Sequence, residues 1–136
     1  MAGNAFWRQA TLDFSAGALG GLATVIFLVI IGALGIIPAP EVTKPWLYSM
    51  LVWGGLWGFL FLIPWKASWW LRGLVFSLGP TAGVWFVIYP YVLNMGVLGL
   101  GGGIVAPVVP LVANGIWGLV AAWWLEFVGA RAAVAS

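Results

Sequence analysis

The sequence predicts an all-α integral membrane protein built as a bundle of four transmembrane helices. Three observations predict it. The 136-residue chain is 64% apolar and carries eight charged residues, whereas about a quarter of an ordinary soluble domain is charged. Those charges stand in small groups: Arg8 and Asp13, Glu41 and Lys44, Lys66 and Arg72, Glu126 and Arg131. Between them run uncharged stretches at 14–40, 45–65 and 73–125, and a spanning helix needs roughly 20 apolar residues.

Residues 1–14 form an N-terminal interfacial segment. Phe6, Trp7, Ala10 and Phe14 have helical spacing, so this tail lies along the membrane surface before the first helix enters. The following apolar run is too long for the h-region of a cleaved signal peptide, and Asp13 is out of place in an n-region. The single transmembrane domain covers 15–126. The first two uncharged stretches hold one span each, about 15–37 and 46–65. The third is long enough for two spans, about 73–92 and 106–126. Its dividing turn is written as Asn94-Met95-Gly96, Gly99, Gly101-Gly102-Gly103, Pro107 and Pro110, residues that punctuate a helix rather than propagate it. Residues 127–136 are a short tail.

Four spans put the N-terminus, the 66–72 loop and the C-terminus on one side, with Arg8, Lys66, Arg72 and Arg131. The other side has Lys44 alone. The positive-inside rule then places both termini in the cytoplasm. Trp46 and Trp65 are separated by about 28 Å of helix, close to the hydrocarbon thickness, and anchor the two ends of span 2.

Apolar burial does not drive helices together in lipid; close backbone approach and interhelical hydrogen bonds do. Gly17 and Gly21, Gly54 and Gly58, and Gly79 and Gly83 form GxxxG pairs on the first three spans, and Gly118 with Ala122 is a looser version on the fourth. These are the expected helix-packing residues, inside the chain or against a partner subunit. Gly55-Leu56-Trp57-Gly58 and Gly115-Ile116-Trp117-Gly118 match, as do the Gly17/Gly21 and Gly79/Gly83 pairs, which suggests two parallel hairpin repeats. Pro80 interrupts span 3 and frees the Phe76 carbonyl. Ser77 and Thr81 stand near enough to satisfy it, and the site is a fixed kink or a hinge.

The chain has no histidine and no cysteine. That removes imidazole bases, His-ligated haem or zinc, thiolates and iron–sulfur ligands. No metal site, catalytic residue or dedicated cofactor is expected, and the protein is read as not an enzyme. Asp13, Glu41 and Glu126 fall near membrane ends, too far apart to cooperate. No ionisable side chain falls in the middle of a span, which argues against an ion pump or proton-coupled carrier. The Gly99–Gly103 run lacks the Lys-Ser/Thr of a phosphate loop. The net charge of +2 reflects topology, and no nucleic-acid partner is expected.

The intramembrane polar set is Thr24, Ser49, Ser77, Thr81 and Asn114. Asn114 is either interhelical glue or an amide that touches a ligand. Trp53, Trp57, Trp85 and Trp117 lie away from the interfaces. They fill space beside glycines or stack on a bound lipid, quinone or flat pigment.

The segments Trp53–Gly58, Arg72–Thr81, Leu98–Gly101 and Asn114–Gly118 resemble small uncharacterised bacterial inner-membrane proteins, over about residues 50–125. The resemblance implies a four-helix multi-pass protein of the bacterial inner membrane and brings no activity or cofactor with it. Two functions follow. The first is a non-catalytic accessory subunit of a larger membrane complex, with membrane lipid, other integral-membrane subunits or itself as partners. The uncharged outer turn and the glycine faces motivate it. The alternative is a binding module or passive conduit for a small apolar or neutral ligand, as a homo-oligomer, resting on the central tryptophans, Asn114 and Pro80.

Overall fold

The computed structural model describes residues 2–129; residues 130–136 of the C-terminal tail, Arg131 among them, lie outside them. Among the described residues there is no β-strand. Four helices are long and apolar enough to cross a membrane: Gly3–Ala33, Lys44–Leu62, Trp69–Val92 and Val105–Phe127, spans 1 to 4 below. Ile26, Ile30, Val52 and Phe86 are each about half exposed on the outer surface. An apolar surface of this extent associates in water and suits a lipid surround.

Helix α1 runs unbroken over Ala2–Ala33, about 48 Å at 1.5 Å per residue. The interfacial segment and the first span are therefore one helix, longer than the hydrocarbon core. It stops at Ala33, short of the expected 37. Gly35 adopts φ +79°, the Ile36 N–H donates to the Ile31 carbonyl and the Gly35 N–H to the Gly32 carbonyl. These two bonds make a Schellman cap, which needs a left-handed residue that glycine supplies without strain.

Helix α2, Lys44–Gly58, starts where Thr43 accepts a hydrogen bond from the Trp46 N–H (3.3 Å), with Pro45 in the first turn. Both are standard devices for helix starts. It tightens into a 3₁₀ turn at Phe59–Leu62 and ends before Pro64. Span 3 is segmented: α3 over Trp69–Phe76, α4 over Leu78–Gly83, then a π-helical stretch over Val84–Val92 that contains Pro90. The break falls at Ser77. Restarting the helix at Leu78 puts Pro80 in a first turn, where its missing N–H costs nothing. The expected rescue of the Phe76 carbonyl takes a different form. The Ser77 hydroxyl donates to the Leu74 carbonyl (2.6 Å), and the Thr81 hydroxyl donates to the carbonyls of Ser77 (2.8 Å) and Pro110 (3.4 Å). After a turn at Val97–Gly102, α5 spans Val105–Phe127.

Helix α1 packs mainly on α2 and α5, and α5 packs on α3. A Cβ placed on Gly17 would strike the Gly54 carbonyl, and one on Gly58 would strike the Asp13 carbonyl. Gly73 and Gly118 approach each other in the same way across α3 and α5. The matched motifs of the two hairpins are thus used differently. Gly17 and Gly21 face α2, whereas Gly79 and Gly83 face the Trp57 indole.

Two charges turn inward. Asp13 is 0% exposed and Arg72 3% exposed, although both stand at span ends in the sequence. Arg72 belongs to α3 rather than to the 66–72 loop. Gln9 Nε2 donates to Asp13 Oδ1 at 2.8 Å. Arg72 donates to the Phe61 carbonyl at 3.1 Å, its guanidinium 5.6 and 5.7 Å from the Phe61 and Phe76 ring centres. That carbonyl is one of those left open at the end of span 2, so Arg72 caps the negative end of that helix.

Candidate functional site

Spans 2 and 3 each pack on another helix more closely than on one another, and a cleft of about 580 Å³ opens between them. Ser49, Trp53 and Trp57 stand four residues apart on α2 and share one face. They form one wall. Pro80, Gly83, Val84 and Val87 form the other, while Thr24 of α1 and Asn114 and Trp117 of α5 close the back.

Each lining group is held by a local reason. Trp117 is buried at the back, where its indole Nε1 donates to the carbonyls of Gly17 (3.0 Å) and Gly54 (3.2 Å). A single N–H reaches both because the facing residues lack side chains. The Thr24 hydroxyl is shared between the carbonyls of Gly20 (3.0 Å) and Ala113 (3.2 Å), tying α1 to α5. Gly79 and Gly83 leave room for Trp57: a Cβ on Gly83 would lie 3.3 Å from its ring. Span 3 is fastened along α5 by a ladder of side chains. The Thr81 hydroxyl reaches the Pro110 carbonyl, Trp85 Nε1 donates to the Pro107 carbonyl (2.9 Å), and the Tyr89 hydroxyl donates to the Ala106 carbonyl (2.8 Å). Pro110 cannot donate to Ala106, so the Tyr89 acceptor is a carbonyl that proline freed.

Of the five residues expected to touch a ligand, Trp53, Trp57, Trp117 and Asn114 come together in the cleft. Trp85 does not: its indole is committed to Pro107. Asn114 is half-buried, and its amide makes no side-chain hydrogen bond among the described residues. Among the described residues it does not bridge two helices. Of the packing glycines, Gly17, Gly21, Gly54 and Gly58 meet inside the bundle, Gly118 meets Gly73, and Ala122 lies against Gly73. Among the described residues, none that lines the cleft is charged.

No protein family, curated protein or solved structure matches the chain. The chemistry of the cleft is what speaks for a function: an apolar, tryptophan-walled space with three neutral polar groups.

Sequence reasoning missed Asp13, Gln9 and Arg72 as interior residues. A signal was present. The small-residue stripe Gly17, Gly20, Gly21, Thr24 continues back by helical steps through Ala16 to Asp13 and Gln9, all buried. A second hollow, near Trp7, Phe14 and Phe59, contains the hydroxyls of Thr11 and Ser15, but both donate to backbone carbonyls one turn back.

Trp117→Phe keeps an aromatic ring, smaller than the indole, and removes the bridging N–H. It is expected to destabilise the bundle by about 1–2 kcal/mol, since interhelical hydrogen bonds in membranes average about 0.6 kcal/mol and ring volume is lost besides. Unfolding by SDS titration from dodecylmaltoside micelles measures it.

Proposed function

We propose that this chain is a multi-pass membrane binding module for a small apolar or neutral ligand, held in the cleft between spans 2 and 3. The observation that carries this reading is the Asn114 amide, which faces a largely apolar space and makes no side-chain hydrogen bond among the described residues. An amide in hydrocarbon seeks a partner, and a ligand supplies one. The volume lies within the range of about 300–1,000 Å³ usual for small-molecule sites. The resemblance noted above, with Arg8 and Lys66 on one side against Lys44 on the other, supports a bacterial inner membrane with both termini cytoplasmic. In that frame the cleft lies toward the outer leaflet.

The glycine faces are largely met within the chain, which weakens one ground for an accessory subunit. A different observation favours that second reading: Tyr91 and Ile104, flanking the uncharged connection, are 80% and 77% exposed. Co-purification of larger membrane proteins in fixed stoichiometry would support it.

The ligand reading is tested by purifying the chain from native membranes and extracting what it carries. A small molecule is expected in stoichiometric amount with the wild type and at less than about a tenth of that with Val84→Trp, which fills the cleft from its wall. Equal recovery from both would overturn the reading.

A further inference from the structure

We propose that the cleft takes an uncharged amphiphile: one apolar chain ending in a hydroxyl or carbonyl head, with the head at Ser49 and Asn114 and the chain against Trp57. This rests on the binding-module reading and names its ligand class. The polar groups of the cleft are ordered by depth. Measured from the helix ends on the same side, Ser49 lies about 8 Å in, Asn114 and Thr24 about 14 Å and Trp57 about 20 Å at 1.5 Å per residue. The amide and hydroxyl groups thus occupy the shallower part, and the deep part is walled by the largely apolar rings of Trp57, Pro80 and Trp117. That gradient fits a molecule with a small polar end and an apolar body.

The nature of the head follows from the groups that meet it. The Asn114 amide and the Ser49 hydroxyl each donate and accept, so they pair with a hydroxyl or a carbonyl. Neither carries charge, nor does any other described residue that lines the cleft. The buried charges, Asp13 and Arg72, sit beyond Gly58 in structure of their own: Asp13 takes a bond from Gln9, and Arg72 is spent on Phe61. A phosphate, sulfate or ammonium head would enter this depth without a counter-charge, a cost that a neutral head avoids. Trp53 is 61% exposed at the rim, so the cleft is open sideways and a ligand enters from the lipid between spans 2 and 3.

Three probes with the same chain length separate the possibilities: oleyl alcohol, octadecene and oleyl sulfate. Each is added to the full chain in nanodiscs of saturated phosphatidylcholine, and retention is read by native mass spectrometry. Oleyl alcohol is expected to bind about five- to tenfold more tightly than either of the others, the worth of about one net hydrogen bond. Asn114→Leu should bring the alcohol down to the octadecene level while leaving octadecene unchanged. Ser49→Ala, at an exposed position where folding is not at risk, should lower alcohol binding alone. Equal binding of alcohol and octadecene by the wild type, or of alcohol and sulfate, would overturn the head-group assignment and leave the cleft as a site for apolar chains. If Val84→Trp retains all three probes as the wild type does, the binding-module reading falls as well.

Discussion

Gly17→Ala and Gly118→Ala should each cost about 3 kcal/mol, at the top of the usual range for overpacking. The added methyl is small, but what it meets is not a side chain able to turn away. At Gly17 it meets the Gly54 carbonyl oxygen, with the Gly58 Cα at 2.9 Å; at Gly118 it meets the Gly73 carbonyl. Relief requires two helices to move apart. Moving α1 from α2 also withdraws the Gly17 and Gly54 carbonyls from the Trp117 indole, which bonds both. The loss therefore spreads from one crossing into the back wall of the cleft. Gly3→Ala is the matched control, because a Cβ there meets nothing within 4 Å, and such substitutions usually stay within about 0.5 kcal/mol. SDS titration in mixed micelles reads all three variants. A Gly17→Ala protein as stable as Gly3→Ala would refute the close crossing of α1 and α2.

Arg72→Met should cost a similar amount, about 3 kcal/mol, the upper end of what a hydrogen bond to a charged group contributes. Three things go at once: the bond to the Phe61 carbonyl, the contact with two aromatic faces, and the positive charge that acts on the buried Asp13. Asp13 keeps its bond from Gln9, but its Oδ2 has no hydrogen-bond donor among the described residues. Arg72→Lys should recover only part of the loss. An ammonium restores charge but not the planar group that lies between Phe61 and Phe76. Asp13→Leu combined with Arg72→Met should be more stable than Arg72→Met alone, because it removes the uncompensated carboxylate. The same micelle titration measures the cycle, and a double variant no better than the single one would show that the two charges are energetically independent.

The spans were legible from the sequence to within a few residues at most ends, and the exceptions are instructive. Span 1 was expected to begin at 15 and end at 37. It begins near the N-terminus because nothing in residues 2–14 breaks a helix, and it ends at Ala33 because Gly35 provides the left-handed residue of a Schellman cap. The proline at 80 was legible as a disturbance, but its form was not. The helix breaks at Ser77 and restarts, so that Pro80 falls in a first turn. Of the five candidate ligand residues, Trp53, Trp57, Trp117 and Asn114 line one cleft; Trp85 was not separable from them by type and depth, since its partner, the Pro107 carbonyl, is 22 residues away.

By itself, the sequence determined where helices begin and end and that their surface is apolar. Both depend on neighbours along the chain: runs without charge, caps such as Thr43 and Gly35, and prolines without an N–H. Only the tertiary structure decided what each face meets. It brought Gly17 to Gly54 and Gly73 to Gly118, turned Asp13 and Arg72 into the interior, and left spans 2 and 3 apart so that Asn114 looks into a cleft. The reason is physical. In a chain with so few polar side chains, most helix faces are apolar, and hydrophobicity does not discriminate among partners in lipid. The choice is made by which backbones can approach and which few hydrogen bonds can close, and those are properties of pairs of helices rather than of any one.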